Sequence, residues 1–104
     1  GIMALFQAQL GATATTVFDP VADSAVTTLF LCNTHSATVT VTLYLINGAG
    51  APDDTNAIWK DISIASKDTF VMNNERLILA AADFIKGLAS VASKVTVTGT
   101  FTTI

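Results

Sequence analysis

The chain has 104 residues, which suits one domain. Charged residues make up 12% of it, against roughly 25% in a typical soluble protein, while 51% are hydrophobic and the mean hydropathy is +0.58. The basic residues are scattered and the net charge is −3, so we expect no binding to nucleic acid or to a membrane surface. The longest apolar run, residues 77–82, is too short for a membrane span of about 20 residues.

Cys32 is the only cysteine, so no intrachain disulfide is possible. This fits synthesis in a reducing cytoplasm, and the N-terminal residues do not have the pattern of a signal peptide. We interpret residues 1–2 as a cloning remnant before Met3, and residues 3–104 as a single domain.

The first half of the chain predicts strands separated by polar turns. Residues 3–10 are a first strand or, alternatively, an arm that docks on a neighbouring subunit; we favour the strand. A short strand over residues 15–18 ends at Asp19-Pro20. Residues 26–32 are apolar on both faces near their end, which predicts a central strand covered on both sides. Residues 33–36 are interpreted as a hairpin loop.

Alternation with a period of two continues beyond that loop. Residues 39–45 place Val and Leu on one face and Thr and Tyr on the other. The Gly- and Asp-containing residues 47–56 predict a long exposed loop. Residues 58–64 alternate isoleucines with Trp59, Asp61 and Ser63, and Lys60 is the misfit on the apolar face.

Residues 77–92 are ambiguous, because their Ala and Leu content also suits a helix. We favour a strand, a turn at residues 81–83 in which Asp83 caps the backbone, and a second strand over residues 84–90. Val95 and Val97 begin the last strand. About eight short strands predict an all-β, antiparallel β-sandwich of jelly-roll or immunoglobulin-like type.

Two groups of residues deserve consideration as sites of chemistry. Cys32 and His35 have ligand-like spacing, but Zn²⁺ needs three or four protein ligands and a catalytic pair needs an orienting residue. Asp53 and Asp54 are adjacent, whereas a calcium loop spaces its carboxylates. We therefore expect no metal, no cofactor and no catalytic residue, and we assign Asp53 and Asp54 to an exposed loop. A small hydrolase is a further possibility, and it would require Cys32 and His35 to be in contact within a cleft.

Aromatic residues suggest where binding occurs. Tyr44 and Trp59 lie off the apolar faces of their strands, which predicts that they are exposed or at an interface. We name Leu5, Phe6, Tyr44 and Trp59 as candidate interface residues. A sugar-stacking platform that includes Tyr44 or Trp59 is the alternative.

The order of these features resembles small β-sandwich structural proteins of tailed-bacteriophage virions. The resemblance is carried by the strand near Thr16-Val17-Phe18, the run Leu29-Phe30-Leu31-Cys32-Asn33-Thr34, and the closing Val95-Thr96-Val97-Thr98-Gly99. It differs at Ala82, where glycine is expected before the aspartate of the turn.

The resemblance implies a non-enzymatic virion protein, made in the host cytoplasm, that decorates the capsid or serves in the neck or tail. It implies a symmetric oligomer such as a homotrimer, with the major capsid protein or other virion proteins as partners. The alternative function is a carbohydrate- or receptor-binding module of a phage tail. Threonine in place of charged residues on the strands agrees with assembly, since such a face is solvated but inexpensive to desolvate.

Overall fold

The computed structural model describes residues 3–48, 50–73 and 77–104. The proposed remnant, residues 1–2, lies outside them. None of the described residues forms a helix long and apolar enough to cross a membrane. The strands are β1 (Met3–Gln9), β2 (Thr15–Phe18), β3 (Ser24–Asn33), β4 (Val39–Ile46), β5 (Ala57–Ile64), β6 (Thr69–Met72), β7 (Leu77–Leu79), β8 (Phe84–Ala89) and β9 (Val95–Thr103).

The strands form two antiparallel sheets packed face to face. Sheet A has the order β1-β9-β3-β6, and β7 pairs with β3 beyond β6. Sheet B has the order β2-β8-β4-β5. This interleaved order is that of a jelly roll, with β6 and β7 sharing one strand position. The predicted all-β sandwich is therefore confirmed, with the jelly roll as the form it takes.

The core lies between the sheets and follows the predicted alternation. Val39, Val41 and Leu43 of β4 are fully buried and belong to it, as do Val95 and Val97 of β9. Residues of β-branched type suit these positions because they pack well on a pleated surface. The ambiguous segment forms the strands β7 and β8 with a turn between them, as predicted, and Asp83 Oδ2 accepts a hydrogen bond from the Ala80 amide at 2.9 Å.

The loop after β3 differs from the prediction. Residues 34–38 do not close a hairpin, because β3 lies in sheet A and β4 lies in sheet B. Asn33 is fully buried at this crossing. Its Nδ2 donates to the carbonyls of Ala37, Ile64 and Ala65 at 3.0, 2.9 and 3.2 Å. The side chain thus ties the crossing to the end of β5.

The expectation that β3 is covered on both sides is half wrong. The strand is central in sheet A, between β9 and the pair β6 and β7. Leu29 and Leu31 point into the core with no exposed surface, whereas Phe30 between them is 39% exposed. One face of β3 is therefore open to solvent.

A β-bulge changes which residues of β5 face the core. Leu43 is paired with Trp59 and Val41 with Ile62, so Lys60 and Asp61 together oppose the single residue Thr42. Asp61 takes a positive φ of 51°, and its amide donates to Thr42 Oγ1 at 3.0 Å. The extra residue moves Trp59 onto the core-facing side and removes Lys60 from it.

Three phenylalanine rings pack together at the margin of the sandwich where β1 approaches β2. Phe6 of β1 stacks on Phe18 of β2 with ring centroids 4.3 Å apart, and Phe18 lies 4.8 Å from Phe101 of β9. Gly99 permits this arrangement, since a Cβ there would lie 2.1 Å from Phe6 Cζ. The cluster fastens the first strand to both sheets.

Candidate assembly surface

The side of sheet A that faces away from sheet B has an unusual composition. Residues that pair directly across strands point to the same face, so the register divides each strand into inward and outward residues. None of the sheet A strands formed by the described residues contains a charged residue or histidine. We call the outward-pointing residues of these strands the outer face of sheet A.

Four large apolar side chains are exposed on this outer face. Leu5 is 63% exposed on β1, Phe30 39% on β3, Val71 44% on β6 and Ile78 60% on β7. Phe30 and Val71 are cross-strand partners, so their side chains are adjacent. Apolar residues therefore occur across the full width of the sheet.

Threonines form a ladder down the middle of the same face. They are the outward residues of β9, namely Thr96, Thr98, Thr100 and Thr102. Several of their hydroxyls are satisfied within the chain: Thr98 Oγ1 accepts from Gln7 Nε2 at 3.2 Å, and Thr100 Oγ1 lies 2.7 Å from Thr27 Oγ1. Polar groups that already have partners cost less to remove from water.

The opposite side of the molecule, the outer face of sheet B, differs in charge. Lys86 of β8 lies 5.6 Å above the ring of Phe84, and Asp61 Oδ1 accepts from the buried Thr42 hydroxyl at 3.3 Å. Gly50 of the long loop lies against Ile46, since a Cβ there would be 3.3 Å from Ile46 Cγ2. This side is thus charged and partly covered by its own loop.

The structure separates the two candidate interface residues on β1. Leu5 points outward and is largely exposed. Phe6 points inward, is half-buried and belongs to the three-ring cluster. The residues of β1 pair with β9 throughout, so the segment is the first strand, as favoured, rather than a detached arm.

The sequence predicts that Tyr44 and Trp59 are either exposed or at an interface, and neither ring is exposed. Tyr44 is 7% exposed. Trp59 is half-buried, packs against the core and makes an edge-on contact with Phe70, with ring centroids 5.1 Å apart. The error at Trp59 comes from the β5 bulge, which shifts the alternation by one residue. The sugar-stacking alternative requires an exposed platform that includes Tyr44 or Trp59, and neither ring is exposed.

Asp53 and Asp54 are both exposed, and each has a partner within the chain. Asp53 accepts hydrogen bonds from the amide and hydroxyl of Thr55, and these hold the pKa of its carboxyl below the usual range. Asp54 lies 2.8 Å from Lys60 Nζ and raises the pKa of that ammonium. The two carboxylates thus make separate local contacts rather than a shared site.

Cys32 and His35 lie in different surroundings. Cys32 is a half-buried free thiol on the outer face of sheet A, paired with Thr96 and Thr69. His35 is in the inter-sheet crossing, where its amide donates to Asn33 Oδ1 at 2.8 Å. Across the part of the chain that the structure describes, no three His, Cys, Asp or Glu residues are grouped as metal ligands, and no pocket is formed.

Sequence reasoning missed Phe30, Val71 and Ile78 as surface residues. Phe30 follows Leu29 and precedes Leu31, and the continuous apolar run obscured its outward position. Strict alternation through Leu29, Phe30 and Leu31 was the signal that could have placed it. Val71 and Ile78 lie on strands of four and three residues, too short for a periodic pattern.

Comparison with known proteins finds chains of similar fold but does not assign the chain to a family. No family model matches the chain, and no curated protein matches it. The chain is similar to one from the disulfide-linked pili that form Bacillus endospore appendages, with 16% identity, a TM-score of 0.51, and coverage of 99% of this chain and 86% of that one. It is also similar to part of a chain of infectious bursal disease virus strain Gx, with 15% identity, a TM-score of 0.44, and coverage of 97% and 29%.

Proposed function

We propose that this protein is a non-enzymatic structural subunit that works by assembly, and that the outer face of sheet A is the surface it buries. The observation that carries the proposal is the absence of charge from the described strands of sheet A, combined with four exposed apolar side chains. The more specific role is a capsid decoration protein of a tailed-bacteriophage virion. It acts as a symmetric oligomer with the major capsid protein among its partners.

The outer face of sheet A has the composition that is typical of protein–protein interfaces, and the outer face of sheet B does not. Interface centres are depleted in charge and enriched in apolar side chains, with polar groups at the rim. Lys67 and Lys94 lie in loops at one end of the sandwich, in rim-like positions. The four strand positions of sheet A, about 4.8 Å apart, and the length of its two central strands, about nine residues, give a face of roughly 600 Å². That is of the same order as the roughly 800 Å² that each partner contributes to a standard interface.

The fold agrees with a structural role. Jelly rolls occur in viral capsid domains as well as in lectins and other binding proteins. The Bacillus appendage chain, which shares this fold, comes from a pilus. The tailed-phage role is supported by the resemblance of the sequence to structural proteins of tailed-bacteriophage virions.

Lysine substitution on each sheet tests the surface. Thr98→Lys places a charge in the middle of the outer face of sheet A, whereas Thr40→Lys is a matched change at a half-buried threonine on the outside of sheet B. We expect Thr98→Lys to weaken association with particles or with other copies at least tenfold, because a buried unpaired charge is costly. We expect Thr40→Lys to have little effect. Equal effects of both changes would contradict the choice of surface.

The virion role has its own test, which is the protein composition of purified phage particles. A decoration protein is present at a fixed copy number per particle, in proportion to the major capsid protein. Its absence from particles that assemble while the protein is expressed would overturn the decoration role. The assembly surface would still be tested separately by the lysine variants.

A further inference from the structure

The edges of the two sheets differ in how well they are protected. Proteins block exposed edges with short strands, bulges, charges or proline. At the β5 edge, Lys60 and Asp61 supply both charge and a bulge. The β2 edge has four residues and a register shift between Thr16 and Phe18. The opposite edge of sheet A is divided between β6 and β7, of four and three residues.

The β1 edge has none of these devices. It spans seven residues, Met3–Gln9, without charge or proline, and it pairs with β9 without a register shift. It is the terminal strand of sheet A. The Leu10 amide donates to the Val95 carbonyl at 2.9 Å, toward β9. Because peptide groups alternate in direction along a strand, the N–H and C=O groups of Leu5, Gln7 and Gln9 point away from β9.

We propose that β1 pairs with β1 of a second copy of this chain, in antiparallel orientation about a two-fold axis. This inference rests on the assembly function proposed above, but it uses the edge of sheet A instead of its outer face. A second copy of the chain has the same sheet edges as the first, so β1 can pair with any of them. Among those formed by the described residues, only β1 is long, regular and uncharged, so the contact joins like to like.

Hydrogen-bond direction is compatible with this pairing. Full overlap of the seven residues places Phe6 opposite Phe6 and Leu5 opposite Gln7. Leu5 and Gln7 are residues whose peptide groups point outward, so they exchange hydrogen bonds in this register. Phe6 then forms a pair without hydrogen bonds, in which the Cβ atoms lie about 4.5–5.5 Å apart.

The pairing also explains the position of Phe6. Its ring is half-buried at the margin of the sandwich, beside Phe18 and Phe101. A second copy brings another Phe6 to the same margin and extends the aromatic cluster across the two-fold axis. Two five-stranded sheets become one continuous sheet, and the charge-free outer faces become contiguous.

Proline substitution tests the edge without breaking the fold. Gln7→Pro removes an N–H that points away from β9, so the β1–β9 ladder remains intact. Gln7→Ala is the matched control, because it loses the same side-chain contact with Thr98 but keeps the N–H. Sedimentation equilibrium should show a dimer whose Kd rises at least tenfold with Gln7→Pro and little with Gln7→Ala. Circular dichroism should show an unchanged fold for both.

Spin labelling tests the register. In a Cys32→Ser background, spin labels at Gln9→Cys of the two copies should lie about 20 Å apart. In the proposed register, Gln9 of each copy lies opposite Met3 of the other, and the six-residue separation between these positions spans about 20 Å. A dimer with a distance incompatible with this value would overturn the register. A dimer that Gln7→Pro does not weaken would overturn the edge pairing.

The results separate this inference from the proposed function. Association lost with Thr98→Lys but kept with Gln7→Pro would overturn the edge pairing and support the outer face. Self-association lost with Gln7→Pro but kept with Thr98→Lys would support the edge, and binding of Thr98→Lys to particles as tightly as the wild type would overturn the outer face. A wild-type chain that remains monomeric at high micromolar concentration would overturn the edge pairing, while binding to particles would still test the outer face.

Discussion

Asn33 is the buried polar residue on which the connection between the two sheets depends. Its side chain has no exposed surface. It donates hydrogen bonds to three backbone carbonyls and accepts one from the His35 amide. These bonds satisfy groups in the inter-sheet crossing and at the end of β5. A buried carbonyl that loses its partner costs about 1–3 kcal/mol.

Replacing Asn33 by alanine should therefore destabilise the fold. We expect Asn33→Ala to lower the free energy of unfolding by about 3 kcal/mol, because a fully buried side chain that bonds three backbone carbonyls is lost. Urea denaturation followed by Trp59 fluorescence measures the change. The control is Asn47→Ala in the exposed loop, with an expected effect within about 0.5 kcal/mol. An equal, small effect at both sites would show that the network contributes little.

At the scale of elements, the sequence predicted the positions of the strands better than it predicted which strands pair with each other. Alternation identified β4 and β9 because their core residues recur with a period of two. The β3–β4 connection was misread as a hairpin because loop residues such as Asn33 and Ser36 suit a turn and a crossing alike. Pairing depends on contacts between distant segments, such as β3 with β9, which no local pattern contains.

The candidate surface was predictable in its chemistry but not in its location. Threonine in place of charge was visible on the strands, and it is the property that distinguishes the outer face of sheet A. Which threonines share a face depends on register across β1, β9 and β3. Trp59 was misplaced for a related reason, since the bulge inserts a residue that periodicity does not anticipate.

The bulge itself is a testable element. Asp61 adopts a left-handed φ of 51°, which aspartate and asparagine tolerate better than β-branched residues do. We expect Asp61→Val to lower the free energy of unfolding by about 2 kcal/mol, and Asp61→Asn to change it by less than about 0.5 kcal/mol. Thermal unfolding of both variants provides the measurement. A valine variant as stable as the wild type would mean that the strand can pair without the bulge.

The whole molecule combines one uncharged side with one charged side. Charges of the described residues lie in the loops and in sheet B, away from the strands of sheet A. Contacts that use the edge or the outer face of sheet A as proposed would therefore bury apolar, threonine and glutamine side chains. If β1 pairs as proposed, a dimer is the smallest assembly, and the homotrimer that the resemblance implies stays a prediction.

This distribution predicts an association that responds little to ionic strength. Screening weakens interactions between exposed charges over a Debye length of about 10 Å at 0.1 M salt, but it hardly affects apolar burial. We expect the dimer Kd to change less than about threefold between 0.05 and 0.5 M sodium chloride, and to fall in ammonium sulfate. Light scattering across this range measures it. A Kd that rises steeply with sodium chloride would indicate that charged loops carry the contact.

The long loop between β4 and β5 has a practical consequence. It joins two strands of sheet B and lies against Ile46, on the side opposite the uncharged surface. When the outer face of sheet A is covered, this loop still faces the surroundings. Residues 51–55 therefore offer a position for foreign epitopes, at which each assembled copy would present one insert outward.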